Sequence, residues 1–130
     1  MRKKVLLVDD DPDLRDILQD ILEDDGYEVI PAADGSQAIE YLRTNSSGVD
    51  APALVILDLN MPMVNGLGVL DAIREDTGLQ LPVIVVSASG HSKPNGVAAY
   101  LQKPINVIKL LDTVRDTTNE LRRAKRSTPA

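Results

Sequence analysis

Five side chains in this 130-residue sequence are of types that could act together: the carboxylates of Asp9, Asp10 and Asp58, the hydroxyl of Ser87 and the ammonium of Lys103. Each stands at the end of a short, mostly apolar run. Asp9 and Asp10 follow Val5 to Val8, Asp58 follows Leu54 to Leu57, Ser87 follows Val83 to Val86, and Lys103 follows Tyr100-Leu101-Gln102. Three carboxylates brought to one point repel one another, and the ordinary remedies are protonation or a divalent cation. With no Cys and a single His, the donors are oxygens only, which favours Mg2+ over zinc. Mg2+ keeps several of its waters and commonly bridges carboxylates to a phosphoryl group.

For these groups to meet, the runs that precede them must be neighbouring strands. Leu54 to Leu57 is apolar without alternation, as in a strand buried on both faces, and it stops at a carboxylate followed by loop residues. Asp58 is therefore expected at the carboxyl end of a central strand, where open parallel sheets place their ligands. Val5 to Val8 is the first strand. Pro12 suits the first turn of a helix that Asp11 caps, with Leu14, Ile17, Leu18, Ile21 and Leu22 on one face and Asp25-Gly26 at its end. Tyr27 to Ile30 reads as a short second strand closed by Pro31, and Asp34-Gly35-Ser36 opens a second helix carrying Ala38, Ile39 and Leu42. Residues 44–52 are polar and rich in Ser and Gly, a loop before the central strand.

After Gly66, the positions of Leu67, Val69, Leu70 and Ile73 predict a third helix ending near Asp76-Thr77-Gly78, and Pro82 introduces the fourth strand, Val83 to Val86. The segment from Gly90 to Gly96 contains His91 and Pro94, so a fourth helix there is expected to be short or absent. Tyr100 to Gln102 is the last strand, and Val107, Leu110, Leu111, Val114 and Leu121 line a long final helix. Strands alternating with helices imply an α/β, doubly wound parallel sheet of five strands with helices on both faces.

Composition narrows the function. The length suits one domain that buries roughly two thirds of its unfolded surface. Without Cys, neither a disulfide framework nor a thiolate metal site is available. No run approaches a membrane span, and the basic start Met1-Arg2-Lys3-Lys4 precedes only four apolar residues, so no membrane insertion and a cytoplasmic location are expected. The net charge is −6, and nine acidic residues between Asp9 and Asp25 face one base, Arg15. That distribution argues against nucleic acid as a partner. A solvated helix face accounts for Asp13, Asp16, Asp20, Glu23, Asp24 and Asp25, but not for adjacent aspartates at a strand end.

Taken together, Val8-Asp9-Asp10-Asp11-Pro12, the stretch from Asp58 to Gly66 with its Met61-Pro62, Ser87-Ala88 and Lys103-Pro104 resemble the receiver domain of bacterial two-component response regulators, of the stand-alone single-domain type. The resemblance covers residues 3 to about 121, leaving 122–130 as a basic tail expected to fray. It implies a flavodoxin-like sheet of strand order 2-1-3-4-5, usually with a cis peptide before Pro104. By the same resemblance Asp10 and Asp58 would be direct Mg2+ ligands, Asp9 would act mainly through a metal-bound water, and the backbone carbonyl of Asn60 would complete the set. Asp58 would accept a phosphoryl group from a sensor histidine kinase or phosphotransfer protein, forming an acyl phosphate. Lys103, Ser87 and nearby backbone N–H groups would hold the phosphoryl oxygens, and Ala88 would leave room for them. Ser87 and Tyr100 match the family's switch pair. His91 is assigned no metal or phosphotransfer role. The expected protein is not an enzyme beyond self-phosphorylation and slow self-dephosphorylation, is a monomer or weak dimer, and signals through a downstream protein. One alternative is a receiver-like binding module that works without phosphorylation. Another is a metal-dependent phosphohydrolase on a related fold, which would want a second acid near Asp58, where Leu59 and Asn60 follow instead.

Overall fold

The computed structural model describes residues 2–45, 47–60, 66–77, 81–88 and 93–127, with the side chains of 66, 67, 76, 77 and 120–127 left undescribed. Nine elements follow in order: β1 (Lys4–Val8), α1 (Pro12–Asp24), β2 (Glu28–Ala32), α2 (Gly35–Thr44), β3 (Leu54–Asp58), α3 (Gly66–Thr77), β4 (Val83–Ser87), β5 (Ala99–Gln102) and α4 (Val107–Ser127). The strands form one parallel sheet of order β2-β1-β3-β4-β5. The expected architecture is therefore the observed one.

The period-two geometry of a strand sends alternate residues of the apolar runs to opposite faces. Leu6, Val8, Val55, Leu57, Val83 and Val85 pack with Ala38 and Leu42 of α2 and with Val69, Leu70 and Ile73 of α3. Val5, Leu7, Leu54, Ile56, Ile84, Val86 and Leu101 pack on the other face with Leu18 and Leu22 of α1 and Leu110 and Val114 of α4. Residues 54–58 are all buried, as a strand covered on both sides must be.

Local chemistry sets the helix starts. Asp11 Oδ1 accepts from the N–H groups of Asp13 (3.0 Å) and Leu14 (3.4 Å), and Asp34 Oδ1 accepts from Gln37 N–H (2.9 Å), each satisfying donors that the first helical turn leaves unpaired.

Two expectations are corrected. Pro31 does not close β2, which runs on to Ala32. Glu28 N–H donates to Lys3 and the carbonyl of Ala32 accepts from Asp9, so residues 28, 30 and 32 face β1. Pro31 then turns its missing N–H to the open edge of an edge strand, where no ladder bond is lost. The last strand starts one residue early, at Ala99. The α4 backbone is helical through Ser127, with no Gly or Pro among the helix formers from Leu121 to Arg126.

Among the described residues the helices number four, and 93–98 form a turn rather than a helix. Gly96 takes φ +79°, open to glycine, and the guanidinium of Arg74 on α3 donates to the carbonyl of Asn95. Met61-Pro62 and His91 lie outside the described residues, as do the side chains of Leu67, Leu121 and the basic residues after it.

Candidate functional site

In this order the chain leaves β1 to one side for β2 and returns to the other side for β3. The crevice where ligands gather in such sheets lies beyond the carboxyl ends of those two strands. Asp9 and Asp10 follow β1 directly and Asp58 ends β3, with Val8 paired to Leu57. One carboxylate oxygen from each of Asp9, Asp10 and Asp58 lies within 4.8 Å of the other two. Asp9 and Asp58 are each only 3% exposed, whereas Asp10 is open to solvent.

Both strand ends turn in the same way. Asp9 Oδ1 accepts from the N–H of Asp11 (2.9 Å), and Asp58 Oδ1 accepts from the N–H of Asn60 (2.9 Å). These are Asx turns, in which a carboxylate takes the backbone N–H two residues on. Burial pushes the Asp9 carboxyl up to about 6, with the negative charges of Asp58 and Asp10 adding to it and the Asp11 N–H and Lys103 opposing. A raised carboxyl crowded by two other carboxylates is what a divalent cation relieves.

Lys103 leaves β5 at a cis bond to Pro104, and its backbone N–H donates to the carbonyl of Ser87 (2.8 Å). Its ammonium reaches Asp58 Oδ2 at 3.0 Å and forms a partly buried ion pair. Ser87 is fully buried at the end of β4, adjacent to β3. It joins the site through Asn60: Ser87 Oγ donates to Asn60 Oδ1 at 3.1 Å, and the N–H of Ala88 donates to the same oxygen at 2.8 Å.

The structure thus brings Asp9, Asp10, Asp58 and Lys103 together directly and Ser87 and Asn60 beside them. Tyr100 sits elsewhere, paired with Val85 two residues before the strand end, half-buried against the α2–α3 core. Two features were missed. The side chain of Asn60, considered only for its backbone carbonyl, ties β3 to β4. Arg15, the one base among the acidic residues of α1, donates from Nη1 to the carbonyl of Asp9 at 2.7 Å and holds the β1–α1 loop against the helix. The isolated charge sign of Arg15 was a signal available in the sequence.

Beside the site, Leu14, Ile17, Leu18 and Ile21 of α1 and Lys103, Pro104, Ile105 and Val107 line an apolar groove. Ile17, which its spacing places on one face with Leu14, Leu18, Ile21 and Leu22, is 54% exposed on the rim of this groove. The apolar stripe of α1 is wider than the seat the sheet offers it.

Known proteins were compared with this chain. The family model described as response regulator receiver domain matches residues 5–115. The chain is 38% identical over 118 residues to the transcriptional regulatory protein CpxR of Escherichia coli K12, covering 86% of this chain and 47% of CpxR. It spans about half the length of CpxR and of most of the other curated relatives it matches. It is 30% identical over 122 residues to the polar-differentiation response regulator DivK of Brucella ovis, covering 88% and 95% of the two chains. The solved structure of response regulator TrrA from Thermotoga maritima, in complex with Mg2+-BeF, superimposes with a TM-score of 0.75 at 30% identity over 88% of this chain and 98% of TrrA. The carboxylates at the β1 and β3 ends, the lysine after β5 and the matched sequence agree, and the chain belongs to the receiver-domain family of two-component response regulators.

Proposed function

We propose that Asp58 of this domain accepts a phosphoryl group from a phosphohistidine on a sensor kinase or phosphotransfer protein, and that the phosphorylated domain signals by protein contact. The observation that carries this is the buried Asp58 carboxylate, held by Lys103 Nζ at 3.0 Å with the oxygens of Asp9 and Asp10 within 4.8 Å. In the transfer, an Asp58 oxygen forms a bond to phosphorus while the bond from phosphorus to the imidazole nitrogen breaks, and that nitrogen keeps the electron pair. Such a transition state needs little covalent help and much charge placed in advance around its oxygens. Lys103 supplies the cation, and the Ser87 hydroxyl and Ala88 N–H supply neutral donors.

The residues present fit Mg2+: three carboxylate donors in reach of one ion, oxygen ligands only, and an exposed Asp10 that leaves room for waters. Asp10, Asp58 and the Asn60 carbonyl would hold it, with Asp9 acting through a water, and the ion would neutralise charge on the phosphoryl oxygens. The apolar groove between α1 and the Pro104–Val107 stretch adjoins Lys103, which suits a partner helix that delivers the phosphohistidine. With no helix described between β4 and β5, the downstream partner reads Tyr100 and the exposed Val107 and Ile108 of α4.

Incubation with a small-molecule phosphodonor and Mg2+, followed by intact mass, tests this reading. A gain of one phosphoryl group is expected, and it should vanish in Asp58→Asn. No gain, or a gain that survives the substitution, would mean that Asp58 is not the acceptor.

A further inference from the structure

Asn60 is bound twice over at the site. Its backbone N–H donates to Asp58 Oδ1, and its side-chain oxygen accepts from both Ser87 Oγ and Ala88 N–H. The Ala88 N–H can only donate, so the carboxamide must meet it with oxygen, which settles the orientation of the amide. Ser87 and Ala88 each have one proton to give here, and both protons are directed at the same neutral oxygen. They are also the two neutral donors that β4 brings to the edge beside Asp58. Asn60 itself is exposed, so its side chain has solvent into which it can turn.

We infer that the Asn60 carboxamide is the resting occupant of the Ser87–Ala88 donor pair, an internal acceptor that must rotate out before those donors can hold a phosphoryl oxygen. This rests on the phosphoacceptor reading of Asp58. Asn60 acts as a positioning residue: it keeps the β3 and β4 ends tied while the site is empty and sets a threshold for occupation. Its release exchanges two hydrogen bonds for hydration, and a phosphoryl oxygen, being charged, takes stronger bonds from the same donors.

The test uses beryllofluoride with Mg2+ as the phosphoryl analogue, read by the amide resonance of Ala88. Asn60→Ala is expected to bind the analogue about tenfold more tightly, equivalent to about 1.4 kcal/mol, a modest net value for two hydrogen bonds to a neutral acceptor. Asn60→Leu keeps the bulk but not the acceptor, and should tighten binding as much. The Ala88 amide proton should move upfield in both variants without the analogue, and should converge on the wild-type position at saturation. Wild-type protein that fails to bind the analogue would remove the phosphoacceptor reading and this inference with it. Wild-type binding with no tightening in either variant would overturn this inference alone. Tightening in Ala but not in Leu would assign the effect to bulk and overturn it as well. So would an Ala88 shift difference that persists at saturation, since Asn60 would then still be its partner. If the Ala variant does not fold, the Leu variant carries the same expectations.

Discussion

Asp9 and Lys103 put opposite demands on the protein. Asp9 is buried with its carboxyl raised from 3.8 to about 6, so between those values the folded chain binds a proton that the unfolded chain has lost. Stability of the metal-free protein should therefore fall as pH rises from about 4 through about 6, by on the order of 2–3 kcal/mol in total. Urea unfolding at intervals across that range checks it, and Asp9→Asn should flatten the curve; a stability that rises through the same window in wild-type protein would contradict the assignment. Lys103 offsets the same crowding from the other side. Its removal in Lys103→Ala leaves the buried Asp58 carboxylate beside two others without its cation, at a cost of about 2 kcal/mol, below that of a fully buried pair because the lysine is partly exposed. Combining it with Asp58→Asn should restore most of the loss. Lys103→Arg should not reproduce the lysine, because a planar fork differs in reach from a compact ammonium. Full stability in Lys103→Ala would show that the 3.0 Å contact contributes nothing.

At the scale of elements, the described part of the β4–β5 connection is irregular backbone. Residues 93–98 contain a turn, and their described ties are the Arg74 guanidinium on the Asn95 carbonyl and the Ala98 N–H to Val83 at 2.9 Å. A Cβ at Gly96 would lie 3.0 Å from Arg74 Nη2, so the same guanidinium sits against the turn. Residues 93–97 lie outside every helix and strand, which predicts low protection from amide exchange there, with protection returning at Ala98 and β5. Arg74→Ala should speed exchange at 95–98 several-fold without altering Val83–Ser87. Strong protection across 93–97 with and without phosphodonor would mean that this connection is held by more than Arg74.

The whole molecule carries a net charge of −6, much of it on α1 and at the β1 end. Among the described residues no helix is long and apolar enough to cross a membrane. A cation bound only by the folded chain stabilises it by mass action, about 2.7 kcal/mol at a hundred times its dissociation constant. For a domain of this size that is a rise in midpoint on the order of 10 °C. Calorimetry with millimolar Mg2+ and again after chelation should show this rise and its reversal, and Asp10→Asn should lose most of it. An unchanged midpoint in folded protein would count heavily against a metal site.

The sequence by itself determined the layout of strands and helices and the residues Asp9, Asp10, Asp58, Ser87 and Lys103. Buried parallel strands must be apolar throughout, so a charged or polar residue that ends one stands out, and the sheet's topology does the rest. Tertiary structure decided what those residues touch. That Asn60 answers Ser87 and Ala88, that Arg15 turns back to the Asp9 carbonyl, and that Arg74 reaches Asn95 all depend on the distance between chain segments, which no local periodicity encodes. The same holds for Ile17, whose helical spacing marks it as apolar-facing while only the width of the neighbouring sheet leaves it on a groove. Pro31 is a further case: the expected strand order already put β2 at an edge, but only the pairing register, which turns residue 31 to the open side, lets the proline stay inside the strand.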